Sequence, residues 1–213
     1  MILFDLNGTL TDPAAIGAPW QMPVLGEQVL ALAVQTAMVE TLLGRFRPFN
    51  EHIASALRAL VSQRGLDGGR LAEAMERAAA LPPFPDTAGA VRELAGAGLP
   101  LAVLTNSGAD AGRGTLRAAG LEEHFERVLG VDAVEKSKPH PDTYAYAVRE
   151  LGRQPGEITF VSAHPWDLAG AAEAGMRTAL VQRGDPVPPV LPDPDVEAPD
   201  LCALAERLAG LGH

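Results

Sequence analysis

From Thr87 onward the chain alternates short apolar runs with helical stretches, and that alternation restricts the fold more than any other feature. Pro100–Thr105 (PLAVLT), Val128–Gly130, Ile158–Ser162 and Thr178–Val181 read as buried strands. Thr87–Ala97, Ala109–Ala119, Asp142–Gly152, Leu168–Ala174 and Leu201–Leu208 read as helices, with Gly98, Gly120 and Gly175 placed to end three of them. Met1–Leu6 supplies one further strand far upstream. Strands separated by helices pair most readily in parallel, so the expected fold is α/β: a doubly wound, Rossmann-like parallel sheet. Such sheets hold ligands at the carboxyl ends of their strands. Polar residues stand at four such ends: Asp5, Thr105–Asn106, Ser162 and the Asp132–Lys138 loop.

The stretch between the first strand and the rest reads differently. Residues 13–25 are rich in Pro and Gly and read as a loop. Gly26–Gly44 reads as a helix that is apolar nearly all round, followed by helices at Glu51–Arg64 and Leu71–Ala80. LPPFPD (81–86) breaks the pattern and reads as a hinge. The expected organisation is therefore a core domain of residues 1–12 and 85–213 with a helical cap, 13–84, inserted into it. The apolar Val29–Leu43 face fits either packing against the core or a homodimer through the cap helices. Asp185–Pro199, dense in proline and acid, reads as irregular.

Charge and composition narrow the partners. A net charge of −10 argues against nucleic acid or an anionic membrane, both of which call for a basic face. Val29–Leu43 is interrupted by Gln35 and Glu40 and is too short to cross a bilayer. One cysteine, Cys202, excludes an internal disulfide framework and fits a reducing cytoplasm. No secretory signal is visible at Met1, so the expectation is a cytoplasmic protein acting on a small molecule.

Residues 3–12, LFDLNGTLTD, carry the first chemistry. Asp5 leaves an apolar strand for a Gly-Thr turn, a good position for a carboxylate nucleophile. Asn7 stands two residues later, where a carboxylic acid would be able to exchange a proton and an amide is not. Asp12, on the same loop, reads as a turn or cap residue.

The ordered set Asp-x-x-Gly-Thr-Leu-x-Asp, Thr-Asn after a strand, Lys-Pro-x-Pro, and strand-Ser-x-x-x-x-Asp resembles the haloacid dehalogenase superfamily over essentially the whole chain. KPHPDTY (138–144) and FVSAHPWDLAGA (160–171) resemble its (S)-2-haloacid dehalogenase branch most. That resemblance implies a hydrolase that cleaves the carbon–halogen bond of a small 2-haloacid. It makes Asp5 the nucleophile, which attacks carbon and forms an ester that water then hydrolyses. Lys138 resembles the lysine that pairs with it and keeps it ionised, while nearby Lys136 reads as a solvated surface charge. Thr105 and Asn106 resemble the polar pair that donates hydrogen bonds to a carboxylate or leaving group, and Thr9 is placed to brace Asp5. Asp167 resembles the acid that orients the hydrolytic water. Ser162 and Tyr144 fall where the branch has polar support residues. Trp166 reads as a pocket wall or as packing, and His164 as a candidate base or a structural histidine. Asn7, Thr9, Tyr144 and Trp166 are the expected substrate contacts.

Several positions depart from the branch. It usually has an aromatic at Asn7, more often Ser at Thr105, and commonly Asn at His164. Its carboxylate-binding arginine on the first cap helix falls at Leu30, and residues 1–44 contain no Lys or Arg at all. Lys138, main-chain N–H groups, or Arg45, Arg47 and Arg58 folded inward would then have to serve a substrate carboxylate. Phosphatase relatives hold Mg²⁺ partly with an acid that falls here at Ala163, so no cofactor and no obligatory metal are expected. Two alternatives stand beside the dehalogenase reading. One is a phosphatase of the same fold, against which Asn7 and Ala163 both count. The other is a catalytically weak relative that binds a metabolite or a partner.

Overall fold

The computed structural model describes residues 1–184 and 187–210. Strands β1 (Ile2–Phe4), β2 (Leu101–Thr105), β3 (Arg127–Gly130), β4 (Thr159–Ser162), β5 (Arg177–Val181) and β6 (Val196–Ala198) form one sheet in the order β3-β2-β1-β4-β5-β6. Every neighbouring pair is parallel. The helices are α1 (Pro23–Leu42), α2 (Phe49–Gln63), α3 (Leu71–Ala79), α4 (Thr87–Gly96), α5 (Ala109–Ala118), α6 (Pro141–Leu151), α7 (Pro165–Glu173) and α8 (Leu201–Gly210). The α/β expectation from the alternating pattern is met.

Side chains alternate across the sheet as the two-residue period of a strand requires. Ile2, Phe4, Val103, Val161 and Val181 pack with α4, α5 and α8 on one face. Leu3, Leu104, Phe160 and Leu180 pack with α6 and α7 on the other. Both faces are covered, which is why the strands are apolar throughout. Burying a Leu, Val or Phe of this kind contributes about 1.5–3 kcal/mol, so the central strands are rigid supports for whatever follows them.

The winding sets the location of the crevice. From β1 the order runs through β2 to β3 on one side, and β4, β5 and β6 occupy the other. The direction changes beside β1, and an open α/β sheet binds its ligand at such a switch point. Phe4 is in register with Val103 on β2 and Val161 on β4. Asp5, one residue on, therefore emerges level with Leu104 and Ser162.

The helical block has an apolar core of its own. Leu25, Val29 and Ala33 of α1 meet Ile53 and Leu57 of α2 and Ala74 of α3, and Trp166 of α7 packs against this cluster. Residues 13–25 are not a loop: Pro13–Trp20 forms a 3-10 helix and α1 already begins at Pro23. Two of the three prolines that mimic a loop signal, Pro13 and Pro23, sit at the first turns of the two helices, where a missing N–H costs nothing, and Pro19 lies inside the 3-10 helix. Asp12 caps the first of them, its Oδ1 accepting from Ala14 N at 2.9 Å. The far edge of α1 leaves apolar side chains exposed, Val39 by 48% and Leu42 by 83%.

The expectation of an irregular 185–199 also needs correction. Asp185 and Pro186 lie outside the described residues. Val196–Ala198 is a strand, pairing with Ala179–Val181 at the edge of the sheet. Three residues flanked by proline and acid give too little periodicity to read. Tertiary pairing makes the strand, helped by Asp195, whose Oδ2 accepts from Thr178 N at 2.7 Å. No described helix is long and apolar enough to cross a membrane.

Candidate active site

The peptide after β1 delivers Asp5, whose N–H donates to Val161 O at 2.9 Å. The chain then folds back on itself, with Leu10 N and Thr11 N both donating to Leu6 O. Gly8 makes that turn at φ +85°, and a Cβ there would lie 2.7 Å from His164 Nε2. Only glycine satisfies both the backbone angle and the contact.

Lys138 reaches this point from the loop before α6. Its Nζ donates to Asp5 Oδ1 at 2.6 Å, Asp167 Oδ2 at 2.7 Å and Leu104 O at 3.0 Å. An ammonium has three protons, so all of them are taken. The side chain is 1% exposed and lies 5.5 Å from the Phe160 ring centroid. Thr9 Oγ1 donates to the other Asp5 oxygen at 2.7 Å and accepts from Ala163 N at 2.9 Å.

Asp167 is fully buried. Tyr144 donates its hydroxyl to Asp167 Oδ1 at 2.5 Å, and Ser162 Oγ stands 3.5 Å from Oδ2. Ser162 Oγ also accepts from His164 N at 3.0 Å, starting α7. Gly170 allows this packing, because a Cβ there would strike the Tyr144 ring at 2.5 Å.

Electrostatics separate the two carboxylates. Burial pushes the Asp5 carboxyl up, but the Lys138 ammonium, then the charge of His164 and the Thr9 hydroxyl, outweigh it, and the group titrates below the ordinary carboxylate value. Burial dominates at Asp167 and, with the charge of Asp5, raises its carboxyl despite Lys138. Burial pulls the Lys138 ammonium down, yet Asp167 and Asp5 together hold it above its usual value. Burial, then Asp167, pushes the Tyr144 phenol well up, so it stays a donor.

The predicted residues fall into two shells. Asp5, Asn7, Thr105, Asn106, His164 and Trp166 line a small cavity of about 10 Å³. Lys138, Asp167, Ser162, Tyr144 and Thr9 stand behind Asp5 and hold it. Thr9 and Tyr144, expected to touch substrate, are fully buried and brace carboxylates instead. Asp167, expected to orient the hydrolytic water, already accepts from Lys138, Tyr144 and Ser162 and does not line the cavity. It fixes the ammonium that fixes Asp5.

Two amides and a histidine form the polar wall. Asn106 Oδ1 accepts from Lys138 N at 2.8 Å, which leaves its NH2 end for the cavity. Asn7 Oδ1 accepts from Thr11 Oγ1 at 3.3 Å, with the same consequence. His164 Nε2 lies 3.1 Å from Asn7 O and 3.8 Å from Asp5 Oδ2. A carbonyl only accepts, so that nitrogen carries a proton. The imidazole stacks on Trp166 at 5.5 Å and 16°.

Sequence reasoning missed part of the wall. Leu30, Val34 and Phe49 close the cavity from the helical side. Leu30 and Val34 are one turn apart on α1, a spacing that reads only as core. Arg45, Arg47 and Arg58 do not fold inward: Arg45 and Arg47 pair with Glu40 at 2.7 and 3.3 Å, and Arg58 is exposed. Also missed was Arg183, whose guanidinium pairs with Asp86 through two nitrogens at 2.9 and 2.8 Å and lies on the Phe84 ring. Nothing local in the sequence joins residues so far apart.

A hard cation does not fit this donor set. Among the described residues no group of three or more His, Cys, Asp or Glu is placed to hold a metal ion. The space between Asp5 and Asp167 belongs to an ammonium, and Ala163 brings no side-chain oxygen.

Fold and site define a class: a doubly wound α/β protein presenting a lysine-paired aspartate at its switch point. The sequence model of the haloacid dehalogenase-like hydrolases matches residues 1–175, and the chain belongs to that family of hydrolases. It is 30% identical to haloacetate dehalogenase H-2 of Moraxella sp. (strain B), over 98% of this chain and 97% of that protein. It is 32% identical to the (S)-2-haloacid dehalogenase of Pseudomonas sp. (strain YL), over 96% of this chain and 92% of that one. Its fold is similar to L-2-haloacid dehalogenase from Xanthobacter autotrophicus, solved with chloropropionic acid covalently bound. The TM-score is 0.87 at 28% identity, covering 99% of this chain and 98% of that one.

Proposed function

We propose that this chain hydrolyses the carbon–halogen bond of a small 2-haloacid through an ester on Asp5. The observation that carries this reading is Asp5 at the cavity with the buried Lys138 Nζ 2.6 Å from its Oδ1. An oxygen of Asp5 attacks the halogen-bearing carbon; the C–O bond forms as the carbon–halogen bond breaks, and halide leaves with the bonding electrons. Water then adds to Asp5 Cγ, the ester opens at its acyl–oxygen bond, and the 2-hydroxyacid departs with a proton from that water. Halide needs no proton to leave, which suits the amide at Asn7. The similarity to dehalogenases over nearly the whole chain supports the same reading.

The helices of 13–84 serve as a cap that closes the cavity with Leu30, Val34 and Phe49. The exposed apolar edge of α1 suits a second copy of the chain, and the single unpaired Cys202 suits a reducing cytoplasm.

Halide release from chloroacetate and 2-chloropropionate tests the reaction. Wild type releases halide over many turnovers and Asp5→Asn does not. A single turnover in ¹⁸O-water puts the label into the Asp5 carboxylate, whereas label appearing first in product would overturn the ester.

A further inference from the structure

We infer that the 2-haloacids this site prefers carry an apolar tail of several carbons on the halogen-bearing carbon, and that the tail lies in a chamber between the cap helices and α5. The inference rests on Asp5 attacking a 2-haloacid and adds to it the substituent beside the halogen.

The cavity beside Asp5, about 10 Å³, has room for about one water molecule and for no 2-haloacid. Its core side is tied down: Asn106 Oδ1 accepts from Lys138 N, and His164 Nε2 lies on Asn7 O. Its cap side is Leu30, Val34 and Phe49, apolar side chains held by packing alone. An entering substrate therefore makes its space by displacing cap side chains.

Two of those side chains also border a larger space. Leu30 and Phe49, with Asn7 and Asn106 opposite them, bound a chamber of about 580 Å³, so displacing them joins it to the site. Beyond that seam the chamber is lined by Ile16, Phe46, Ile53, Met75 and Leu81, of which Ile16, Ile53 and Leu81 are buried. An alkyl tail leaving water for this lining gains about fourfold in affinity for each methylene. A second chamber, about 700 Å³, adjoins the site through Leu30, Val34, His164 and Trp166. Asp12, Glu27 and Arg183 border that one, and an alkyl tail seated there would strip water from charged groups without replacing it. The chemistry at carbon is unchanged: Asp5 bonds to the halogen-bearing carbon, halide leaves with the bonding pair, and water opens the ester to the 2-hydroxyacid.

Bromide release from racemic 2-bromopropionate, 2-bromobutyrate and 2-bromohexanoate tests this, because leaving group and carbon class stay constant along the series. Asp5→Asn run beside each acid supplies the blank. The expected kcat/KM is at least about fivefold higher for 2-bromohexanoate than for 2-bromopropionate. A smaller advantage, or none, overturns the inference and leaves the nucleophile standing. Two variants with native melts then locate the tail: Ala78→Phe puts a ring into the inferred chamber, and Ala31→Phe puts one into the other. Ala78→Phe should lower the hexanoate-to-propionate ratio at least about fivefold, and Ala31→Phe should leave it within about twofold. Met75→Ala widens the inferred chamber and should raise 2-bromooctanoate relative to 2-bromohexanoate, which keeps the test open if Ala78→Phe does not fold. A ratio that neither Ala78→Phe nor Met75→Ala moves, or that Ala31→Phe lowers, overturns the assigned chamber. Release that exceeds the Asp5→Asn blank for none of the acids overturns the parent reading instead.

Discussion

Lys138→Met removes the one positive charge between two buried carboxylates and keeps the volume of the side chain. Asp5 and Asp167 are then left on the order of 5 Å apart, where two unit charges repel by roughly 3 kcal/mol at an effective dielectric of about 20. Breaking a buried pair in this way costs about 3–5 kcal/mol, so both routes give a loss of similar size at neutral pH. The sign of its pH dependence follows. One carboxyl of the pair now titrates above its unfolded value, so the folded state binds more protons than the unfolded one, and stability falls as pH rises through that raised value. Urea unfolding between pH 5 and 8 is the assay. The variant should come closest to wild type at pH 5 and fall furthest below it at pH 8. Neutralising one partner should recover stability: Lys138→Met with Asp5→Asn should unfold at higher urea than Lys138→Met alone at pH 8. A Lys138→Met midpoint equal to wild type at every pH, or a double variant no better than the single one, would refute the electrostatic account of this cluster.

Two further outcomes follow from the same cluster. Tyr144→Phe takes one donor from a buried carboxylate, so it should cost about 1–3 kcal/mol in thermal or urea unfolding and lower kcat with little change in KM. In wild type, Lys138 should give halide release no alkaline limb below the ordinary lysine range, and Asp5 no acid limb above the ordinary carboxylate range, because Lys138 is held high and Asp5 low. An acid limb above that range then belongs to Asp167, whose carboxyl is raised, and Tyr144→Phe should move it to higher pH by removing a bond to the ionised form. A limb that the variant leaves in place counts against the assignment.

The parts of this molecule legible in its sequence are those encoded by period and local chemistry. The strands that bear Asp5, Thr105 and Ser162 read as apolar runs because both sheet faces are covered. Their polar terminal residues read as a site because parallel strands bring those ends to one edge. Lys138 and Tyr144 were legible by motif, but the direction each side chain faces was not. Tyr144 lies beneath α7 because Gly170 admits its ring, a fact of packing between helices. The third bond of Lys138 goes to Leu104 O, and a backbone carbonyl has no residue type to read. Pro13–Trp20 was misread because proline marks loops and helix starts alike, and only the cap from Asp12 decides between them. The Arg183–Asp86 clamp joins residues 97 positions apart and leaves no local trace.

A fixed ammonium and a bound divalent ion are not equivalent ways to charge a nucleophile. A divalent ion leaves coordination positions open and can draw an anionic substrate to the carboxylate. Lys138 has no donor left, because Asp5, Asp167 and Leu104 O take all three of its protons. A phosphate ester would bring one or two negative charges and then require a proton on its leaving oxygen, while Asn7 offers only an amide. The carbon–halogen end of a 2-haloacid fits a wall of Leu30, Val34 and Phe49, and its halide departs as a stable anion that needs no proton. A side-chain ammonium in the place of a metal thus bears on two choices together: which bond breaks and what leaves.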